Sequence, residues 1–584
     1  MRTFSSLLLA VVLATLPPAH ALWPQPRNLR TGSDKLKLSD DFKIHLEAHV
    51  PQDMLDAISR TEDFLKKDHL QRLIVGRGSS DTNALTNAKS LSELDLYLES
   101  GADANSITTE AQKPIESRDE AYTLNVPNDG SPANITASST LGLLRGLTTF
   151  TQLWYEVDGT IYAADVPIYT HDSPAYPYRG FMLDTARNFF PVSDIKRTLD
   201  AMSLVKMNQF HWHVVDSQSF PLQIPEFMDL SIKGAYSSSS VYTPDDVKDI
   251  VAYAGARGID VLVEIDTPGH TSVISKAYPG HIACPEATPW DIFANEPPAG
   301  QLRLASNETT NFAANLLAAV ARMFPSTIFS TGGDELNANC YDQDPDTQKS
   351  LNETGRTLEQ ALDVFIKTTH KAIEDLGKTP VVWEEMVLKH NVTLNPNTTV
   401  LVWEKSENAK TVAQKGYKLI HAASDFFYLD CGAGSWLGAS PDSPNWCDPF
   451  KTWQHSYTFN PTANLTDDEA KLVLGGQHLL WTEQSGPSNL DSIVWPRAAS
   501  SAELFWSGPG GNVSHALERL HDLSFRLQQR GVKSIPLQPL WCALRPGVCD
   551  AVPHTSVDGV VQSTSFAYHD DQVLDAGIPR HDEL

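Results

Sequence analysis

Residues 327–335 read Thr327-Ile328-Phe329-Ser330-Thr331-Gly332-Gly333-Asp334-Glu335, an apolar run that passes through two glycines into adjacent carboxylates. The run reads as one short buried strand. Neighbouring side chains on a strand point to opposite faces, so two consecutive acids reach one pocket only if the backbone bends, and a Gly-Gly pair supplies that bend. A bare Asp-Glu pair is otherwise a solvated acidic loop, so its meaning depends on what surrounds it.

Outward from this stretch, strand-like runs recur at 180–183, 210–215, 260–265, 327–330, 380–383, 400–403, 419–422 and 479–481. Amphipathic helices at 194–205, 244–256 and 358–376 lie between them. This alternation predicts an α/β fold, a (β/α)8 TIM barrel, over residues 173–512. A barrel collects its site residues at the C-terminal ends of strands. Asp184 and Arg187, Asp216, Asp266 and His270, Asp334 and Glu335, Glu384, Glu404, Asp430 and Glu483 each follow an apolar run, as that geometry requires. A doubly wound sheet is the alternative topology, and it does not usually place acids after nearly every strand.

Residues 22–172 carry a mixed pattern that predicts a small α+β domain. It has a strand at Arg72-Leu73-Ile74-Val75, alternation at 94–98 and a helix over Thr140–Trp154, with Pro167 and His171-Asp172-Ser173-Pro174 marking the boundary. Residues 513–549 read as a helical segment packed on the barrel, and 550–584 as a tail.

Hydrophobic residues make up 41% and charged residues 20%, as in a folded protein. A formal charge of -27 repels nucleic-acid phosphates and anionic membrane surfaces, and no Lys/Arg-rich run offsets it, so a neutral or cationic partner is expected. Arg2, the apolar run Leu7–Leu16 and Ala19-His20-Ala21 predict a signal peptide over residues 1–21, too short to span a bilayer, and no later stretch predicts membrane insertion. Sequons at Asn134, Asn307, Asn352, Asn391, Asn397, Asn464 and Asn512 and an even set of six cysteines agree with the secretory pathway. Cys542/Cys549 is the first expected disulfide and Cys284/Cys340 and Cys431/Cys447 follow, although six cysteines allow 15 pairings. The closing His581-Asp582-Glu583-Leu584 is a retrieval signal that predicts residence in the endoplasmic-reticulum lumen, with some escape to the outside.

The motifs also occur together in a familiar order: Leu22-Trp23-Pro24-Gln25-Pro26, Arg179-Gly180-Phe181-Met182-Leu183-Asp184-Thr185-Ala186-Arg187, His211-Trp212-His213-Val214-Val215-Asp216, Asp266-Thr267-Pro268-Gly269-His270 and Gly332-Gly333-Asp334-Glu335. Val382-Trp383-Glu384-Glu385, Val402-Trp403-Glu404, Tyr428-Leu429-Asp430 and Leu480-Trp481-Thr482-Glu483 complete the series. The set resembles the β-N-acetylhexosaminidases of glycoside hydrolase family 20, fungal secreted enzymes among them, over nearly the whole chain.

That resemblance implies a retaining exo-hydrolase of terminal β-linked GlcNAc or GalNAc on chitooligosaccharides or glycoconjugates. The substrate's own acetamido oxygen is the nucleophile, and neither cofactor nor metal takes part. Glu335 is implied as the general acid and later base, with a pKa raised by burial and by its neighbour; Asp334 stays ionised, accepts the acetamido N–H and stabilises the oxazolinium intermediate. Tyr428 is implied to hold the acetamido oxygen in line and Asp430 to bind a sugar hydroxyl. Trp383, Trp403 and Trp481 wall the pocket, Arg187 and Glu483 bind ring hydroxyls, and Asp216 and His270 tune and orient the acid. Family resemblance also implies a homodimer whose loops approach the neighbouring site.

His211-Trp212-His213 admits a rival reading, since a His-X-His on a barrel strand also opens some metal sites, but only His270 offers a further imidazole. Two other functions fit the sequence: a catalytically silent glycan binder of the reticulum, and a lacto-N-biosidase-like specificity that releases disaccharides.

Overall fold

The computed structural model describes residues 21–46, 50–438 and 440–550. The signal-peptide and tail readings therefore lie, but for Ala21 and Asp550, outside the described residues. An N-terminal sheet is built from β1 (Leu29–Leu46), β2 (Lys89–Leu98), β3 (Tyr122–Val126), β4 (Ala133–Ala137), β5 (Trp154–Val157) and β6 (Thr160–Asp172) in the order β1-β2-β4-β3-β6-β5. The alternation at 94–98 falls in β2, where Leu94 and Leu96 are fully buried. The helix expected over 140–154 ends at Thr151. Beyond it the Gln152 carboxamide bonds both backbone groups of Trp23, at 2.7 Å to its N–H and 2.8 Å to its carbonyl, and Trp154 opens β5. Arg72–Val75 is not a strand. Positive φ at Gly76, Arg77 and Gly78 (81°, 54° and 94°) coils the chain, Arg72 is drawn to Asp81 at 2.7 Å, and Val75 is left 61% exposed.

The second unit is a closed parallel barrel of β7 (Tyr178–Asp184), β8 (Gln209–Val215), β9 (Asp260–Ile265), β10 (Ile328–Ser330), β11 (Thr379–Trp383), β12 (Thr399–Val402), β13 (Lys418–His421) and β14 (Val473–Leu480). Closure, with β14 paired to β7 from Gly475↔Tyr178 to Leu480↔Leu183, rules out the doubly wound alternative. Outer helices at Val192–Leu204, Pro244–Gly255, Asn307–Ala321 and Leu358–Glu374 follow β7 to β10. Capping boxes at Thr243/Asp246 and Thr357/Gln360 start the second and fourth of these. Between β11 and β12 the helix shrinks to Glu385–Leu388.

Strand β14 begins six residues before the expected run at 479, because Gly475-Gly476-Gln477-His478 conceals its apolar character. Of these, Gln477 joins a polar network inside the barrel, while His478 bonds Ser501 at 2.6 Å on a neighbouring helix. Tyr178 donates to Gln477 at 2.5 Å, Gln477 donates to His211 at 3.0 Å, and His211 donates to Glu264 at 3.0 Å. The long helix Val513–Gln529 does more than cover the barrel. Its Arg526 donates to the carbonyls of Gln152 (2.9 Å) and Trp154 (3.3 Å) in the N-terminal unit, while Arg519 grips Glu503 of the barrel at 2.6 Å. Disulfides join Cys284–Cys340, Cys431–Cys447 and Cys542–Cys549. No helix among the described residues is long and apolar enough to cross a membrane.

Glu120 locks the two units together. Its carboxylate accepts from Arg145 of the N-terminal unit at 2.7 Å, and from Arg179 (2.5 Å) and Asn208 (3.0 Å) of the barrel. Burial alone would raise its pKa, but Arg179 and Arg145 hold it down to about 2 against an ordinary 4.5. Glu120 therefore contributes stability in full above pH 4.5, and that contribution is lost as pH falls toward 2. Glu120→Ala is expected to lower unfolding free energy by about 3–5 kcal/mol at neutral pH, read as a lower denaturant midpoint, because two guanidinium groups are left buried and uncompensated.

Candidate active site

The site sits at the C-terminal mouth of the barrel, where β10 gives way to the acidic pair. Gly332 (φ 65°) and Gly333 (φ 106°) turn the chain, and Glu335 itself is left-handed at φ 54°. A Cβ on Gly332 would lie 1.9 Å from Asp266 Oδ1, so only glycine lets the turn pass this close to β9. Gly333 N–H donates to that same oxygen at 2.8 Å. His270, after β9, is also left-handed at φ 53°. Non-glycine residues held at positive φ store strain that persists only where surroundings over-determine it, and here two of them meet.

The turn brings Asp334 and Glu335 into a cavity of about 540 Å³ that is also lined by Arg187, His270, Trp383, Trp403, Tyr428, Asp430, Trp481 and Glu483. Asp216, the remaining candidate, lies fully buried behind Arg187 and His270. The aromatic wall is continuous: Trp403 stacks on Tyr428 with ring centres 6.4 Å apart, Tyr428 meets Trp481 at 6.3 Å, and Trp481 meets Trp383 at 6.2 Å. Trp403 is fixed by its indole N–H donating to Glu385 at 2.8 Å. Arg187 reaches Asp184 at 3.3 Å, Asp216 at 3.0 Å and Glu296, and lies over the Trp481 ring at 5.0 Å. Asp184 in turn accepts from the Thr482 N–H at 3.1 Å, which ties the first barrel strand end to the last.

Charges alternate through the site. His270 donates through Nδ1 to Asp216 at 3.1 Å, and its Nε2 faces Glu335 at 3.4 Å and Asp334 at 3.7 Å. Burial alone would neutralise this imidazole, but Asp216 and Asp334 raise its pKa well above the ordinary value. Asp216 is held well below the usual carboxylate range against the cost of burial, chiefly by Arg187 and His270. The expected ordering of the two acids is reversed here. Glu335 is lowered despite burial, by its hydrogen bond to His270, whereas Asp334 is raised by burial and by the carboxyl group of Asp266. Sequence reasoning weighed the neighbour in the chain and not the groups that face each acid across the barrel. Burial also lifts Asp430 to about 7 and raises Glu483 and Tyr428 strongly.

The His211-Trp212-His213 imidazoles are committed to other partners. His213 is clamped between Glu264 (2.6 Å) and Asp216 (2.7 Å), and His211 bonds the same Glu264. Several lining residues escaped the sequence reading. Asn295, which hydrogen-bonds Glu335, and Glu296, which holds Arg187 at 3.0 Å, come from a long loop after β9. Trp436 and Trp446 come from the loop closed by Cys431–Cys447, and Trp446 stands 5.6 Å from Trp403 and 63% exposed at the mouth. None of these follows a strand, so the strand-end rule does not reach them.

Comparison with known proteins agrees with this geometry. Residues 176–509 match the description "Glycosyl hydrolase family 20, catalytic domain", and residues 22–153 match "beta-acetyl hexosaminidase like". The chain is 36% identical over 458 residues to a beta-hexosaminidase of Arthroderma benhamiae, covering 74% of each chain. It is 32% identical to a chitooligosaccharidolytic beta-N-acetylglucosaminidase of Bombyx mori, over 90% of this chain and 89% of that one. Among solved structures, the Flavobacterium johnsoniae chitobiase superposes with a TM-score of 0.71 at 26% identity, covering 88% of this chain and 73% of that one. The chain therefore belongs to glycosyl hydrolase family 20.

Proposed function

We propose that the chain is an exo-acting β-N-acetylhexosaminidase that removes terminal β-linked N-acetylhexosamine from chitooligosaccharides or glycoconjugates, with retention and through an oxazolinium intermediate. The observation that carries the reading is the convergence of Asp334, Glu335 and Tyr428 on one aromatic-walled cavity floored by Arg187, Asp430 and Glu483. A pocket with acids at one end and indole faces around it suits a pyranose, whose hydroxyls need acceptors and donors while its C–H faces need apolar contact.

The chemistry follows from the charges. The His270–Glu335 pair holds one proton across a 3.4 Å contact. Passed to Glu335, it goes to the glycosidic oxygen as the bond breaks, and Glu335 then accepts a proton from the attacking water. Tyr428 and Asp334 hold the two ends of the acetamide, so its oxygen attacks the anomeric carbon intramolecularly. Arg187, braced by three carboxylates, presents a fixed fork of donors to the sugar hydroxyls. We also propose an oxidising secretory lumen as the workplace. Three disulfides support it, as do the exposed positions of Asn307, Asn352, Asn391, Asn397, Asn464 and Asn512 among the seven sequons.

Glu335→Gln is expected to cut kcat on a GlcNAc-terminated chitooligosaccharide by about 10²- to 10⁴-fold. Equal rates for both proteins would overturn the assignment, and tight sugar binding without turnover by the native chain would favour a silent binder. A glucoside lacking the acetamido group is expected to turn over about 10³-fold more slowly or worse, in the same assay. Gly332→Ala is expected to lower kcat about 10²-fold while the far-ultraviolet spectrum is unchanged, because the added methyl displaces Asp266 and with it the acidic turn.

A further inference from the structure

Asp266, at the end of β9, is fully buried, and an oxygen of its carboxyl group lies within 4.8 Å of one of Asp334. Its Oδ1 accepts the Gly333 N–H at 2.8 Å, and Oδ2 of Asp334 faces His270 at 3.7 Å. Asp266 Oδ2 and Asp334 Oδ1 are both buried, and no N–H or hydroxyl donor of the described residues reaches either atom. Two ionised carboxylates have no hydrogen to donate, so two neighbouring buried oxygens with no other donor are satisfied by one proton held between the pair. The surroundings agree. Burial pushes both acids upward; His270 opposes this at both, and His213 opposes it at Asp266, while Glu264 from β9 and Glu385 after β11 reinforce it. Glu335 and Tyr428 complete the ionisable groups that line this side of the cavity.

We propose that Asp266 is a positioning residue of the reaction: it takes up the proton it shares with Asp334 when the substrate's acetamido N–H arrives. The inference rests on the reading of Asp334 as the group that receives that N–H. An incoming N–H donor stabilises the ionised form of Asp334, so the O–H bond on Asp334 breaks and one forms on Asp266, with no proton lost to water. Asp334 then meets the positive intermediate as a carboxylate already held by a donor from behind. That donor lowers its basicity, so the intermediate keeps its N–H proton and its charge. When product leaves, the proton returns across the same bond.

Asp266→Asn copies the protonated form, since its amide oxygen accepts from Gly333 and its NH2 donates to Asp334. Asp266→Ala removes the donor. Both are compared with the native chain by aryl β-N-acetylglucosaminide kinetics across pH, with melting temperatures recorded. The asparagine variant is expected to keep kcat within about tenfold of native and to lose the ionisation that the shared proton adds to the native pH profile. The alanine variant is expected to lose about 10²- to 10³-fold in kcat with little change in KM. A folded Asp266→Asn as inactive as Asp266→Ala would overturn the proposal, and so would an Asp266→Ala as active as the native chain. If Asp266→Asn does not fold, Asp266→Ser, whose hydroxyl also donates, takes its place under the same expectation. Asp334→Asn, run in parallel, separates the two readings: native kcat in that variant would remove the role of Asp334 itself.

Discussion

One buried cation organises the mouth of this barrel. His270 donates to Asp216 through one ring nitrogen and faces both acids of the Asp334-Glu335 pair through the other. Without a positive charge there, the buried acids Asp216, Asp266 and Asp334 and the half-buried Glu335 would repel one another and take up protons. The imidazolium is sustained from behind by Asp216, which is itself held by Arg187 and His213. Charge alternates outward from the axis, and each ionised group supplies the reason its neighbour stays ionised.

This arrangement explains why a polar barrel interior is tolerated. TIM-barrel cores are usually filled by branched apolar side chains. Here His211, His213, Glu264, Ser330 and Gln477 share that place with apolar side chains such as Leu262 and Leu479, and every one of the five finds a hydrogen-bond partner among the others. A satisfied network of this kind costs little in stability and fixes the rotamer of each side chain that leads up to the site.

Much of the fold was legible because parallel barrel strands are buried on both faces and read as apolar runs. Asp260–Ile265 emerged with the bounds the sequence suggested. Val473–Leu480 did not, since the residues that make its interior face polar also erase its signature. Arg72–Val75 failed for the opposite reason: an apolar run with no partner strand beside it is coiled by the glycines that follow. At the site, residues attached to strand ends were found by position, whereas Asn295, Glu296, Trp436 and Trp446 arrive on loops whose course no local pattern encodes. The reversed electrostatics of Asp334 and Glu335 were hidden likewise, because Asp266 is a neighbour of Asp334 in space only.

Two of the three disulfides frame the site. Cys284–Cys340 anchors the loop that carries Asn295 and Glu296 to the segment just beyond Glu335, and Cys431–Cys447 closes the loop that carries Trp436 and Trp446. The barrel owes its closure to strand pairing and burial, while its rim is completed by sulfur chemistry. Barrel and rim thus make demands of different kinds: burying the strands asks only that water be excluded, whereas each cross-link at the rim gives up two electrons to an acceptor.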